Sequence, residues 1–226
     1  EDAKTCSKVL GLTLTSRDKG SENPVPLAGV PYHAIDGYLK KMLQAGYRVA
    51  VCEQVEDPKT AKGVVKRDVV RIVTPGTLTD DMLLENKKDN FLCAVDLDVK
   101  GCAALSWVDV STGHFFVQRV AEKELLSELQ RLAPAECLLA DRRGELFELE
   151  TRKLAKDIGQ LTRAIITERP SWYFDPYQAR QRLLKHFGAG TLEGFGISDG
   201  DQDLIPPAGA IIEYLNETQR TTLGHI

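Results

Sequence analysis

The sequence predicts an α/β fold in two modules, and three observations support this prediction. First, strand patterns follow one another closely over 91–120, with tight glycine turns between them. Second, helical and strand patterns alternate after residue 120, which is typical of α/β architecture. Third, the stretch 77–89 is polar and acidic. We therefore expect it to be a linker between these elements and a smaller first module.

The composition excludes several classes of protein. Hydrophobic residues make up 42% and charged residues 27% of the 226 residues, which argues against disorder and collagen. No apolar run approaches the ~18 residues of a membrane helix. The five cysteines are scattered without a Cys-x-x-Cys pair, so we expect reduced thiols in the cytoplasm and no metal site. Residues 1–80 hold 12 basic and 10 acidic side chains, whereas 81–226 hold 17 and 23, which suggests different partners.

The first module is predicted to mix short helices and strands. Apolar residues recur at helical spacing from Ile35 to Leu43, and Gly46 is placed to end that helix. The chain has no initiator Met and no helix cap before Glu1, so we expect it to be part of a longer one. The predicted elements are a helix over 1–10, a strand over 12–15, an exposed loop over 16–26, a helix over 35–43 and strands over 47–53 and 69–73.

The second module is predicted to place a three-stranded meander before alternating helices and strands. Asp175-Pro176 is a strong helix start, and Gly188 ends that helix. The predicted elements are strands over 91–98, 102–110 and 114–120, a helix over 125–132, a strand over 137–140, a helix over 144–158, a strand over 164–166 and helices over 176–187 and 208–215. This order is that of the ribonuclease-H-like fold.

Four aspartates of the second module raise an enzymatic alternative. They lie on or beside the predicted strands: Asp96, Asp98, Asp109 and Asp141. Carboxylates at such places can hold two Mg²⁺ ions for phosphodiester hydrolysis, so a metal-dependent nuclease using Asp96 and Asp109 is the alternative function. A tight turn at Lys100-Gly101 would, however, place Asp109 opposite residue 92, about 13 Å along the strand from Asp96. The contrasting interpretation is that these aspartates are solvated.

The first module carries a different pattern, in which cations and apolar loop residues alternate. Arg17 ends a predicted strand and enters a loop, and Pro26 to His33 leads from that loop into a helix. Lys62, Lys66 and Arg67 gather in the next basic stretch. Cations on adjacent loops suit phosphate contacts, and proline or apolar residues can press on the minor groove. The contrasting interpretation is a solvated basic surface that never meets DNA.

Several motifs in sequence order resemble the bacterial MutS family of DNA mismatch-repair proteins. In the first module they are Leu14–Arg17, Ala28–His33, Val51–Pro58 and Val69–Thr77, and in the second module Asp109–Gly113, Gly194–Gly196 and Thr218–Leu223. The resemblance implies that 1–76 is most of a mismatch-binding domain, 77–89 a linker and 90–226 a ribonuclease-H-like connector without catalysis. It implies no catalytic residue, metal or cofactor in this chain, because ATP and Mg²⁺ belong to the family's ATPase domain.

The resemblance also implies partners and site residues. The expected partners are mispaired duplex DNA, the repair protein MutL and further copies in a homodimer or tetramer, with no membrane. Arg17 matches a family residue that touches DNA near the mismatch, and Arg67 matches a basic position that contacts the DNA backbone. Pro26, Leu27 and His33 match the loop beside the minor groove. Charge alone adds Lys62 and Lys66. The family's Phe-x-Glu wedge lies before the matched segment, so little preference for a mispair is expected from this chain.

Overall fold

The computed structural model describes residues 1–17, 20, 22–59, 63–78, 89–97, 101–145, 148–219 and 226. In the first module, two short antiparallel sheets accompany two helices. The elements are α1 (Asp2–Leu10), β1 (Thr15–Arg17), β2 (Val25–Leu27), α2 (Ile35–Gln44), β3 (Val49–Gln54) and β4 (Arg67–Val73). β1 pairs with β2, and β3 pairs with β4.

The second module is built on a five-stranded mixed sheet. Its elements are β5 (Phe91–Leu97), β6 (Cys102–Asp109), β7 (His114–Ala121), α3 (Glu122–Leu132), β8 (Glu136–Asp141), α4 (Glu148–Thr162), β9 (Ile165–Pro170), α5 (Pro176–Phe187) and α6 (Ile205–Gln219). The strand order is β7-β6-β5-β8-β9. The meander strands are antiparallel, whereas β5, β8 and β9 are parallel, so α3 and α4 serve as crossover helices.

The core of the second module lies on both faces of this sheet. On one face, Leu125 and Leu129 of α3 and Ile158 of α4 pack on Val95 and Leu139. On the other face, α6 supplies apolar side chains that pack on the alternate residues of the same strands: Ala210, Ile211, Tyr214 and Leu215. α6 is buried along almost its whole length, and α5 packs against its outer side. A helix that is apolar nearly all round belongs inside a layered core.

The first module buries far less. Leu39, Met42 and Leu43 of α2 are buried, and α1 packs against this helix without a fully buried residue of its own. β4 contacts α6, and the turn at Gly46 approaches Ile165 of β9, where a Cβ would lie 3.5 Å from Ile165 Cδ1. The small module therefore gains part of its packing from the larger one.

The predicted strand over 12–15 and the predicted loop over 16–26 are both wrong in their bounds. Leu12 is bonded to the end of α1, because its N–H donates to the Ser7 carbonyl at 3.0 Å and its carbonyl accepts from Ser7 Oγ at 2.6 Å. The strand begins at Thr15 and pairs with Val25–Leu27, which overlaps the end of the predicted loop. Ser16 faces Pro26 across this pair, and a proline is tolerated there because each strand of a two-stranded sheet is an edge.

One helix of the second module is displaced from its predicted range. The pattern predicted 144–158, whereas α4 spans Glu148–Thr162. Gly144 adopts a left-handed conformation with φ 76°, and its N–H donates to Glu148 Oε2 at 2.7 Å. The chain thus turns at Gly144, which delays the helix start.

The other predicted elements of the second module are present, each within a few residues of its predicted bounds. The cap at Asp175 is confirmed, since its carboxylate accepts from the Gln178 N–H at 2.8 Å. Among the helices in the described ranges, none is long and apolar enough to cross a membrane.

Candidate nucleic-acid interface

The β1–β2 hairpin brings together three of the residues expected from the sequence. Arg17 lies opposite Val25, Ser16 opposite Pro26 and Thr15 opposite Leu27. Arg17 is exposed, and Leu27 keeps half of its surface in contact with solvent. Because Arg17 and Leu27 lie two positions apart in this register, the hairpin presents a cation and an apolar side chain side by side. This combination suits a phosphate contact next to a groove.

His33 lies on the turn between the hairpin and α2. Tyr32–Ala34 forms one turn of 3₁₀ helix, and the His33 side chain is exposed. The neighbouring Tyr32 is 88% exposed, although sequence reasoning did not single it out. The position of Tyr32 directly before His33, in the same motif, is the sequence feature that could have identified it. An aromatic ring exposed beside a cationic hairpin can stack on a sugar or a base.

The remaining cations lie on the second sheet of the first module. Arg67 begins β4 opposite Gln54, and Lys66 comes just before it. The backbone of Lys66 extends the ladder, because its carbonyl accepts from the Val55 N–H at 3.0 Å and its N–H donates to Glu56 Oε2 at 3.1 Å. Both side chains are exposed. Lys62, which was expected to belong to this group, lies outside the described residues.

The loop between β3 and β4 also exposes an apolar residue that sequence reasoning missed. Val64 is 97% exposed and follows Gly63, in a stretch where lysines flank it on both sides. The sequence feature that could have identified Val64 is a pair of valines placed between basic residues. This loop therefore repeats the combination seen on the hairpin, with an exposed apolar side chain beside cations.

Three cations of the first module have no carboxylate partner among the described residues. Within the part of the chain that the structure describes, no carboxylate forms an ion pair with Arg17, Lys66 or Arg67. Their charges face solvent and remain available to an anionic partner.

The two aspartates on which the enzymatic alternative depends, Asp96 and Asp109, do not converge. Asp96 lies opposite Ala104, whereas Asp109 lies opposite Phe91. Asp109 is thus five positions further along the strand, about 17 Å at 3.4 Å per residue. The predicted separation is confirmed, although the register differs by one residue from that of a tight turn. Asp98 lies outside the described residues.

Each described aspartate of this set also has its own partners. Asp96 accepts from Arg142 Nη2 at 2.5 Å, and Asp141 binds the guanidinium of Arg143. Hydrogen bonds and charge from Arg143 lower the pKa of Asp141. Across the described residues, no three His, Cys, Asp or Glu side chains come together as a metal site would require.

Asp109 has a structural role at the turn between β6 and β7. Its Oδ1 accepts from the Ser111 N–H at 2.8 Å and from Ser111 Oγ at 2.6 Å, and its Oδ2 accepts from the Asn90 N–H at 3.3 Å. Burial opposes the charged form, but these hydrogen bonds outweigh it and lower the pKa of the Asp109 carboxyl. The carboxylate thus closes a turn, as Asp commonly does.

Two family models match the chain, in the order in which the modules occur. The model of MutS domain I matches residues 1–82, and the model of MutS domain II matches residues 90–226. The second match alone spans more than half of the 226 residues. Together with the helices and mixed sheet described above, these matches confirm the expected α/β fold. The chain belongs to the MutS family of mismatch-repair proteins and contains its domains I and II.

Proposed function

We propose that the first module binds duplex DNA through the β1–β2 hairpin, the turn at His33 and the loop that leads into β4. The observation that carries this proposal is the hairpin itself, where Arg17, which pairs with no carboxylate among the described residues, lies beside the exposed Leu27. The guanidinium would hold a phosphate while the apolar side chain would lie at the groove. Lys66 and Arg67 would add phosphate contacts from the second sheet.

We propose that the second module acts as a connector and not as a nuclease. Its helix α6 contacts β4 of the first module directly. Its aspartates Asp96 and Asp141 bind arginines, and Asp109 closes a turn. In this proposal, the connector relays DNA binding to the family's ATPase domain, where ATP and Mg²⁺ act, and to MutL. We also propose that the protein is cytoplasmic and that it acts on mispaired DNA as a homodimer or tetramer.

Salt-dependent titration of duplex DNA tests the proposed interface. We expect Arg17→Ala to weaken binding and to reduce the slope of log K against log salt by about one, because one phosphate contact is lost. Arg131→Ala is the matched control, since Arg131 is an exposed arginine of α3 paired with Glu128. It should leave both affinity and slope unchanged. Equal effects of the two substitutions, or none, would contradict the proposed interface.

A second titration compares matched and mispaired duplexes at one salt concentration. The sequence contains no Phe-x-Glu, so Arg17, Lys66 and Arg67 would hold either duplex by its backbone. We expect the two affinities to differ by less than tenfold, about 1.4 kcal/mol. A larger preference would mean that residues of this chain read the mispair directly.

A further inference from the structure

The segment that follows β4 is buried against the second module. Pro75–Thr77 forms a short 3₁₀ turn that is capped by Thr74. We call Thr74 to Thr77 the junction segment, and all four of its residues are buried. The Thr74 N–H donates to Thr77 Oγ1 at 3.1 Å, so the turn is closed by its own side chain. The junction segment contacts β5, β8 and α6. It is therefore the place where the first module passes into the core of the second.

The buried carboxylate of Glu136 forms hydrogen bonds with the junction segment. Glu136 begins β8 and is fully buried. Its Oε2 accepts from Thr74 Oγ1 at 2.6 Å and from the Gly76 N–H at 3.0 Å. Its Oε1 accepts from Thr167 Oγ1 at 2.7 Å and from Tyr214 Oη at 2.7 Å. One oxygen thus bonds the junction segment, whereas the other bonds β9 and α6 of the connector.

The chemistry of this carboxylate favours directed hydrogen bonds over charge pairing. No Lys or Arg in the described ranges forms an ion pair with Glu136. A buried carboxylate is costly unless donors satisfy its oxygens, so the four donors must stay in place. Burial and the nearby Glu136 raise the pKa of Tyr214, which keeps its hydroxyl a donor. An apolar contact could fill this space, but it would not fix the orientation of the junction segment.

Close packing adds a second constraint at Gly76. A Cβ at this position would lie 2.8 Å from the Cβ of Glu136 and 3.0 Å from Leu92 Cδ1. Only a residue without a side chain lets the backbone approach this closely, and the approach brings the Gly76 N–H within reach of the carboxylate.

Two further bonds hold the ends of the junction segment. Asn90 Nδ2 donates to the Pro75 carbonyl at 2.9 Å, and Gln219 Nε2 donates to the Thr77 carbonyl at 3.3 Å. The segment is therefore bonded to the start of the second module, to β8 and to the end of α6. Contacts from three directions remove the rotations that a single contact would allow.

We propose that Glu136 is a positioning residue that fixes the junction segment on the connector and so sets the direction of β4. Arg67 lies at the far end of β4, about 20 Å away over the seven residues of this strand. A tilt of about 10° at the junction segment would therefore move Arg67 by about 3 Å, enough to break a phosphate contact. Only this last step rests on the proposed DNA binding.

The distance between two spin labels measures how firmly the modules are held. One label is attached to the exposed Cys52 of β3, and the other to a Leu149→Cys substitution at an exposed site of α4. The partly buried thiols of Cys6 and Cys102 are replaced by serine, and the other two cysteines are buried and stay unlabelled. The readout is the width of the distance distribution from pulsed electron paramagnetic resonance.

The two threonines that bond Glu136 provide a matched pair of variants. Thr74→Val removes a donor on the junction side, and we expect it to broaden the distribution at least twofold. Thr167→Val removes a donor on the connector side and should keep the wild-type width, even though it also costs a bond to Glu136. Thr74→Ser restores the hydroxyl and should restore the width. Equal widths for Thr74→Val and wild type, or equal broadening by both valines, would overturn the proposal.

A second variant covers the case in which Thr74→Val does not fold. Gly76→Ala removes none of the four donor groups that bond Glu136, but its Cβ forces the junction segment away from the carboxylate. We expect the same broadening, and a wild-type width would overturn the proposal.

DNA titration then tests the last step separately. We expect Thr74→Val to weaken duplex binding at least threefold, whereas Thr167→Val should change it less than twofold. A wild-type protein that binds no DNA would refute the proposed function, while the label distances would still decide the role of Glu136. Broadening without any change in DNA affinity would refute the link between them.

Discussion

The two modules differ in the ion pairing of their arginines. In the connector, arginines form ion pairs with carboxylates: Arg119 with Asp203, Arg142 with Asp96, Arg143 with Asp141, Arg152 with Glu148, Arg169 with Glu217 and Arg182 with Glu213. In the first module, Arg17 and Arg67 are exposed, and no described carboxylate pairs with either of them. The acidic module thus pairs these arginines with its own carboxylates, whereas the two arginines of the module with a small basic excess keep their charges exposed.

The two modules also differ in how many side chains they bury. The connector fills both faces of one sheet with fully buried side chains, but the first module buries little beyond one face of α2. Large buried areas give stability, while a small core leaves strands and loops exposed for contact. Stability and DNA binding should therefore respond to substitutions in different modules, and the predictions below test this separation.

The largest effect is expected where α5 and α6 approach each other most closely. A Cβ on Gly209 would lie 2.3 Å from Ala179 Cβ and 2.5 Å from Ala179 Cα. Gly209→Ala should therefore lower the free energy of unfolding in urea by about 3 kcal/mol, because the helices must move apart. Gly190→Ala is the control, since a Cβ there meets no atom within 4 Å, and it should change stability by less than about 1 kcal/mol. Similar effects of both would show that the connector core is not tightly packed.

A smaller effect is expected at the ion pair between Arg142 and Asp96. Both side chains are about one-fifth exposed, so Arg142→Ala should cost about 1–2 kcal/mol of unfolding free energy. Arg143→Ala, in the same loop, removes a pair whose arginine is 73% exposed, and it should cost little. Neither should alter the salt dependence of DNA binding. A weaker salt dependence in Arg142→Ala would place a connector arginine at the DNA and break the separation of roles.

The smallest effect concerns the pH dependence of the turn at Asp109. The pKa of Asp109 is lowered in the folded protein, so its bonds stabilise the fold above about pH 4, the usual range for this group. That contribution is lost as the pH falls through the lowered pKa. Asp109→Asn should be less stable than wild type by about 1 kcal/mol at pH 7. Urea unfolding from pH 7 to pH 3 should show this difference shrinking, and a constant difference would contradict the role of the charge.

The connector was predicted more fully from the sequence than the first module was. Its strands are set by glycine turns and apolar runs that occur in one stretch of chain, and the Asp175 cap and Gly188 stop are local signals. In the first module, such local signals are missing at the β1–β2 hairpin. β1 and β2 are three residues each and pair across a seven-residue connection that looks like a loop, so only tertiary pairing reveals them.

The candidate site shows the same limit. Charge and motif resemblance singled out Arg17, Leu27 and His33 as candidates, but not the exposed Tyr32 and Val64, because exposure depends on which residues pack elsewhere in the fold. No pattern in the sequence singles out Glu136. Its role depends on Thr74, 62 positions away along the chain, and a contact between such distant positions leaves no periodic pattern in the sequence.

The burial of the junction segment has a practical consequence for chimeric proteins. A family member's first module grafted at a polar stretch such as 77–89 would bring its own residues at 74–77 into a foreign connector. The graft would have to supply a hydroxyl at position 74 and a glycine at position 76, because Glu136 of the recipient would otherwise be left with unmet oxygens. Recombination points placed before Thr74, which keep this segment with Glu136, should yield folded chimeras more often than points placed after Thr77.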